Sequence, residues 1–344
     1  MAFKSGFVAI VGRPNAGKST LVNTIVGRKV AIVSPKPQTT RNRIQGILNR
    51  DDAQIVLIDT PGIHKPDSLL SRQMMDEAQH ATEGIDILSL IADASVSFGA
   101  GDRFAIEWAR RFHGPVYLLL NKIDRIPKPR LLPLIARYTK EFEFAEVFPI
   151  SALTGEGCLN LVNSWLGRLP EHPPYFAQDQ FTDQPERFLA AEVIREKAIL
   201  ATRHEVPHAI AVLVDSFEEA PKLLRIRATI YVEREGQKAI LIGKSGSGIK
   251  AIGTQARKEL ESILGAHIFL ELFVKAQPNW RQSLSMVRQL DWHRQIEQLG
   301  EYQENDENEE RGGDEAESEG EDSEGLEEEV DEIDGDESRN GTGR

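Results

Sequence analysis

Eight consecutive residues have types and spacing suited to one chemistry. Gly12, Arg13, Pro14, Asn15, Ala16, Gly17, Lys18 and Ser19 read G-x-x-x-x-G-K-S, a loop whose glycines let backbone N–H groups turn inward around phosphate oxygens. Lys18 suits the β and γ phosphates, and the Ser19 hydroxyl suits Mg²⁺. Thr20 opens a helix-like segment, residues 20–25, whose N-terminal end adds a field favourable to anions. An apolar run, residues 7–11, precedes the loop, so the motif has its strand–loop–helix setting.

Four later stretches extend this reading. Asp59-Thr60-Pro61-Gly62 ends an apolar run about 40 residues beyond the loop; there an acid can hold Mg²⁺ and the Gly62 N–H can meet a γ-phosphate. Gln38-Thr39-Thr40-Arg41 lies between the two motifs, as a loop that senses the γ-phosphate would. Thr39 and Thr40 both stand as candidates to complete the Mg²⁺ shell beside Ser19 and Asp59. Asn121-Lys122-Ile123-Asp124 follows another apolar run. The Asp124 carboxylate can accept from guanine N1–H and its exocyclic amine, a donor pair adenine lacks, and the Lys122 stem can cover the base. Ser151-Ala152-Leu153 would offer backbone N–H groups to guanine O6. Ile63 stands where Ras-like proteins carry a water-orienting Gln, so slow intrinsic hydrolysis is expected. Asn15 either holds a monovalent cation, K⁺, against the phosphates or merely fits the loop turn.

The elements that must position these groups follow from periodicity. Apolar runs at 7–11, 54–58, 87–92, 116–120 and 146–150 alternate with helical patterns such as 103–112 and 131–142. That alternation predicts an α/β fold, a mostly parallel sheet with helices on both faces and ligand at the strands' carboxyl ends. The GTPase-type domain is expected over residues 5–168 and a Pro-rich linker over 169–185. Beyond it, residues 186–203 read as an amphipathic helix, 209–217 and 224–233 as strands, and 239–242 as a short apolar run.

A second glycine loop occupies Ile242 to Lys250. Gly243-Lys244-Ser245-Gly246 is the G-x-x-G of a KH domain, which clamps about four nucleotides of single-stranded RNA. Lys244 and Lys250 supply charge. A helix from Ile249 onward and a strand at 268–274 would floor the groove, giving an α+β, type II KH domain over 186–300. Residues 279–299 read as a closing helix, with Trp280 and Trp292 packed rather than stacking on bases.

Composition sets the remaining bounds. The 344 residues carry a net charge of −13, yet residues 301–344 alone carry −18, leaving 1–300 at +5. That stretch reads as a disordered acidic tail. It either keeps the chain soluble or mimics phosphate and competes with RNA for the KH groove. The single cysteine, Cys158, excludes an intrachain disulfide and a Cys-rich zinc site. No apolar run approaches the ~18 residues of a membrane span, and no signal-peptide pattern opens the chain. The sequence is expected to be intracellular and soluble.

The motif set in this order, joined to a C-terminal KH domain, resembles the Era family of bacterial ribosome-assembly GTPases. The likeness covers about residues 5–300 and rests on GRPNAGKS, QTTR, DTPGI, NKID, SAL and IGKSGSGIK. It implies GTP binding and hydrolysis with GTP/GDP and Mg²⁺ as ligands. It also implies KH recognition of the 3′ end of small-subunit ribosomal RNA within the pre-30S particle, no DNA partner, a monomer, and a cytoplasmic location with weak peripheral contact to the inner membrane. The acidic tail and the uncharged Ser245 depart from the family pattern. An alternative within the sequence is an RNA-binding scaffold or chaperone for which GTP is a slow structural ligand.

Overall fold

The structure, a computed structural model, describes residues 2–203, 206–221 and 223–291. The expected closing helix beyond Asp291, with Trp292, and the acidic stretch 301–344 lie outside the described residues. In the first part of the chain β1 (Lys4–Gly12), α1 (Lys18–Val26), β2 (Ile44–Asn49), β3 (Ala53–Asp59), α2 (Leu69–His80), β4 (Ile87–Asp93), α3 (Ala100–Ala109), β5 (Val116–Asn121), α4 (Leu131–Thr139), β6 (Glu146–Pro149) and α5 (Cys158–Arg168) follow in order. The sheet order is β2-β3-β1-β4-β5-β6. Every neighbouring pair is parallel except β2 with β3. Because β1 lies between β3 and β4, the chain turns to opposite sides of it, and the loop after β1 opens at the switch point where such sheets bind ligands.

The central strands are apolar on both faces, since β3 and β5 are buried at every position. Helices α1 and α5 cover one face around Leu21, Leu161 and Trp165. Helices α2, α3 and α4 cover the other around Ala78, Trp108 and Tyr138. Cys158 is a buried free thiol, its pKa pushed up to about 11 by burial.

The sequence reading passes over β2, the edge strand. It places Gly46 so close to α1 that a Cβ there would lie 2.7 Å from Val22 Cγ1. The segment expected as a linker runs beside this edge and is tied to it. Ile47 N donates to Phe181 O (2.9 Å), Thr182 Oγ1 to Gln45 O (2.8 Å) and Asn49 Nδ2 to Gln180 O (2.7 Å). Gln54 alone receives the Tyr175 and Phe176 N–H groups and donates to Phe176 O. An exposed sheet edge is a template for unwanted pairing; here the linker occupies it.

The second part comprises α6 (Glu186–Leu200), β7 (Ala211–Ala220), β8 (Leu223–Val232), α7 (Glu235–Ile242), α8 (Ser247–Leu264) and β9 (Ile268–Ala276). Strand β8 pairs antiparallel with β7 and parallel with β9, and α6, α7 and α8 pack on one face of this sheet. This is an α+β KH arrangement. The apolar run 239–242 is the last half of helix α7. Two expectations are corrected here. Helix α6 is not amphipathic: it is buried at ten positions from Leu189 to Ile199, including Glu192, Arg195 and Glu196, because the first domain covers the face that solvent would otherwise wet. The closing helix is broken, with a 3₁₀ turn at Trp280–Gln282 and then α9 (Leu284–Gln289). The break follows from the extended backbone of Ser283 (φ −84°, ψ 116°).

Candidate functional site

The loop between β1 and α1 wraps a cleft of about 470 Å³ whose walls include Asn15, Lys18, Ser19, Thr40, Gly62 and Asp124, a volume suited to a small ligand. Gly17 adopts φ +104°, and a Cβ on it would meet Asn121 Nδ2 at 2.2 Å. One on Gly12 would meet Ile91 O at the same distance. Lys18 is buried, and its ammonium donates to Gly12 O (3.3 Å) and Arg13 O (3.1 Å). Burial lowers its pKa to about 8, with the charge of Asp59 working the other way. Arg13, taken as part of the nucleotide-binding loop, turns its side chain outward and donates to Asp102 Oδ2 (3.0 Å) on α3.

Three oxygens converge beside the loop. Ser19 Oγ donates to Asp59 Oδ2 (2.6 Å), Thr40 Oγ1 donates to the same oxygen (3.2 Å), and the two hydroxyls lie 2.8 Å apart. Burial pushes the Asp59 carboxyl up to about 6, against the pull of Lys18 and the two hydroxyls. Its other oxygen, Oδ1, is buried with no hydrogen-bond partner among the described residues. A buried carboxylate oxygen without a donor fits a cation or its water. The two threonine candidates separate here. Thr39 Oγ1 faces away, donating to Lys36 O (2.7 Å) and lying 2.6 Å from Ser34 Oγ, so Thr39 as a metal ligand is corrected in favour of Thr40.

Two further expectations near Gly62 are corrected. The Ile63 side chain is 1 % exposed and belongs to the core, while its N–H donates to Gly12 O (2.9 Å). Thr60 is fully buried and donates to Ile10 O (2.8 Å). Both tie the strand end to the loop rather than reaching the cleft, and Pro61 is buried beside them. Gly62 itself packs on the loop, since a Cβ there would lie 2.7 Å from Pro14 Cα.

At the far end of the cleft Asp124 Oδ1 accepts from Ser151 Oγ (2.7 Å), which fixes the carboxylate's orientation. Lys122 reaches past it to Asp93 Oδ2 (2.6 Å) and Asn15 O (2.7 Å). Asp93 is partly buried, which works against its charge, yet the Lys122 and Ser95 hydrogen bonds hold its pKa below the usual value. Asn121 is buried as a brace, donating to Ala16 O and accepting from the Ala152 N–H (both 2.8 Å). The Ser151 N–H donates to Glu156 O (2.9 Å). The expectation that Ser151 and Ala152 offer their N–H groups to guanine O6 is therefore corrected, because both amides are used within the loops.

The loop containing Gln38 and Thr40 is gripped from the second domain, which sequence reasoning missed. On α6, Glu196 accepts from the Val33 N–H (2.9 Å) and from Lys29 Nζ (2.6 Å). Arg195 NH2 donates to Thr39 O and to Glu192 Oε2. Arg41 is buried, with its guanidinium carbon 5.3 Å from the centre of the Trp280 ring. Burial and the nearby Arg195 lower its pKa to about 9. Arg41 Nε and NH1 and Arg195 NH1 are buried donors without partners among the described residues. The nearest sequence signal is the acid–base–acid set Glu192, Arg195 and Glu196 inside an apolar helix, where charge is costly unless paired. Gln38, at φ +61°, lies 3.2 Å from His64 Nε2, whose Nδ1 lies 2.8 Å from Gly62 O; His64 was also missed.

The second glycine loop stands at the surface. Gly243, Ser245 and Gly246 all have positive φ, and Lys244, Ser245 and Lys250 are exposed. Behind it Ile249, Lys250, Gly253, Arg257, Leu270 and Leu272 line an open groove of about 320 Å³. A Cβ on Gly253 would meet Leu272 Cδ1 at 3.4 Å, an ordinary contact between α8 and β9.

Comparison with known proteins agrees with this geometry. The profile of a family described as 50S ribosome-binding GTPase matches residues 7–122, and that of the KH domain matches residues 205–281. A point variant of Aquifex aeolicus Era bound to GDP and AlF4⁻ is 44 % identical, covering 84 % of this chain and 99 % of its own, with a TM-score of 0.80. Era in complex with MgGDPNP and nucleotides 1506–1542 of 16S ribosomal RNA is 43 % identical over 84 % of this chain and 98 % of its own, with a TM-score of 0.82. The chain belongs to the Era family of GTPases. Its Era-like part spans both sheets, so the grip of α6 on the loop at Thr39 joins the two parts that define the family.

Proposed function

We propose that the chain hydrolyses GTP to GDP and phosphate and uses the bound state to gate RNA binding by its KH domain during small-subunit maturation. The observation that carries the reading is a single cleft with phosphate chemistry at one end, Lys18 and the Ser19–Thr40–Asp59 oxygens, and the Ser151-oriented Asp124 carboxylate at the other. Gly12, Pro14, Asn15, Ala16, Gly17, Lys18, Ser19 and Thr20 would surround the phosphates, with Gly62 at the γ position. Lys122 and Asp124 would take the base, braced by Asn121. Ser19, Thr40 and Asp59 would hold Mg²⁺, which when bound neutralises charge on the phosphates. Asn15 Nδ2 donates to Pro35 O (2.9 Å), which leaves its side-chain carbonyl oxygen as the atom that would take K⁺. Equal hydrolysis in K⁺ and Na⁺ would remove that role.

The RNA taken is, by likeness to the relative bound to 16S ribosomal RNA, the 3′ end of small-subunit ribosomal RNA. Gly243, Lys244, Ser245 and Gly246 would clamp its backbone, with Ile249 and Lys250 at the groove. The work is divided between a GTPase domain at 5–168, a linker at 169–185 and a KH domain at 186–300. We place this activity in the cytoplasm, with peripheral contact to the inner membrane; among the described residues no helix is long and apolar enough to cross a membrane. The buried Ile63 favours a second reading, an RNA-binding scaffold with GTP as a slow ligand, since the side chain directly after Gly62 is apolar and turned into the core.

The deciding experiment uses the base end. Asp124→Asn exchanges an acceptor for a mixed donor–acceptor, so GTP affinity falls roughly a hundredfold and xanthosine triphosphate becomes the preferred nucleotide. Unchanged GTP affinity would overturn the assignment of the cleft. RNA-stimulated turnover would decide against the scaffold reading.

A further inference from the structure

A water that attacks a γ-phosphate needs a hydrogen-bond acceptor to hold it in line, and the buried Ile63 does not supply one. Among the polar side chains lining the phosphate end of the cleft, Lys18 has only donors to give. Ser19 and Thr40 are committed to Asp59 (2.6 and 3.2 Å), and the Ser34 and Thr39 hydroxyls lie 2.6 Å from each other. Side-chain carbonyls remain on Asn15 and Gln38, which both line the cleft. The Asn15 carbonyl is the one assigned to K⁺ above.

Gln38 is held by a relay that starts at Gly62. The Gly62 carbonyl can only accept, so His64 Nδ1, 2.8 Å away, carries the ring proton and donates to it. In the neutral ring Nε2 is then an acceptor, and Gln38 Nε2, at 3.2 Å, donates to it. With its amide nitrogen held in this way, Gln38 presents Oε1 as its free end. That oxygen makes no hydrogen bond among the described residues.

The backbone points the same way. Pro37 and Gln38 are the central residues of a turn closed by Thr39 Oγ1 donating to Lys36 O (2.7 Å), and Gln38 has φ +61°. Proline followed by a left-handed residue is the pattern of a type II turn, whose third position favours glycine. Glutamine there strains the chain, and strain kept beside a ligand cleft points to a side chain in use.

We infer that Gln38 is the water-orienting residue of this chain and that His64 is the residue that positions it. The pair fills the role that Ras-like proteins give to a Gln at the position of Ile63. The inference rests on the GTPase reading above. Gln38 Oε1 accepts from the water, whose oxygen bonds to the γ-phosphorus. The bond from that phosphorus to the β–γ bridging oxygen breaks, and its electron pair stays on GDP. One water proton passes to a γ-phosphate oxygen, so phosphate leaves carrying both hydrogens of the water. Neither Gln38 nor His64 takes a proton.

The test measures single-turnover hydrolysis by the full chain with Mg²⁺ and K⁺, and its affinities for GDP and a non-hydrolysable GTP analogue. Gln38→Gly keeps the turn, relieves its strain and removes the amide, so folding is not at issue. Its rate is expected to fall about a hundredfold, the cost of misaligning a reacting group, with both affinities changed by no more than about twofold. His64→Ala leaves Gln38 present but unheld, and looser alignment is expected to cost about tenfold. The double variant should be no slower than Gln38→Gly alone, because His64 acts only through Gln38; a merely structural histidine would multiply the two losses.

An unchanged rate in Gln38→Gly would overturn the inference. So would a rate loss matched by an equal loss of analogue affinity, which makes Gln38 a binding residue. Losses that multiply in the double variant would overturn the part given to His64. If the parent chain neither binds nor hydrolyses GTP, the GTPase reading falls and the inference with it. Parent turnover that Gln38→Gly leaves untouched sinks the inference alone.

Discussion

The molecule has two glycine loops that each introduce a helix, and they use glycine for different reasons. In the loop before α1 space adds to conformation: Gly17 has φ +104° and a Cβ on it would sit 2.2 Å from Asn121 Nδ2, and one on Gly12 would strike Ile91 O. In the loop before α8 the reason at Gly246 is backbone conformation alone, since φ is +79° and nothing lies within 4 Å of an added Cβ. The first loop is enclosed and its lysine is buried; the second is open and its lysines are exposed. A closed loop must be right before the ligand arrives, whereas an open one can adjust around it.

That contrast can be broken by experiment. Gly17→Ala should abolish measurable GTP binding, a loss of at least a hundredfold, because the clash with Asn121 displaces the brace to Ala16 and Ala152. Nucleotide titration checks it, and retained affinity would mean the enclosure is looser than the contacts indicate. Arg195→Ala comes next. It leaves Glu192 buried without its partner, lowering stability by about 3 kcal/mol, and frees the Thr39 carbonyl, so hydrolysis should fall several-fold. Pairing it with Glu192→Leu should restore the melting temperature but not the rate. A rate restored together with stability would assign the pair to packing alone.

Gly246→Ala should cost only about 1 kcal/mol of backbone strain and weaken RNA binding by less than tenfold, with nucleotide binding unchanged. An effect as severe as that of Gly17→Ala would erase the distinction between the loops. The smallest effect concerns Asp183, whose pKa burial raises to about 6, although the Gln45 N–H it accepts from (3.1 Å) pulls it back. A carboxyl raised above its unfolded value stabilises the fold at acid pH, and that contribution is lost as pH rises through about 6. Asp183→Asn keeps the acceptor and removes the charge, so it should raise the melting temperature by a few degrees at pH 8 and leave it unchanged near pH 4.

The closed loop was the legible one. Its residues are contiguous, its strands are apolar on both faces, and each motif follows a strand end, so residue types alone located them. What the sequence concealed depends on partners far away in the chain. Thr39 and Thr40 are equivalent as letters, and the Thr40–Asp59 contact with the hydrogen bond from Thr39 to Lys36 distinguishes them. Ile63 and Thr60 sit inside a nucleotide motif yet serve the core, because the strand end must be fastened to the loop. Edge strand β2 has a glycine in the middle and polar Gln45 and Asn49 among only three apolar residues, and its stability comes from β3 and the linker rather than from its own pattern. Helix α6 reads as amphipathic only if one of its faces meets water. The domain covering that face comes from the other end of the chain.

The linker's hold on β2 also bears on how the chain is made. Residues 175–183 are synthesised well after the first sheet is complete in sequence, so on the ribosome β2 is exposed until the linker emerges. Since the same segment leads directly into α6, covering the edge brings the helix to the loop it grips. Covering the sheet edge and gripping the loop are thus one event in biogenesis, and a chain halted before residue 184 would have neither a protected edge nor a restrained loop. Premature termination in this window is expected to yield an aggregating fragment rather than a constitutively active one.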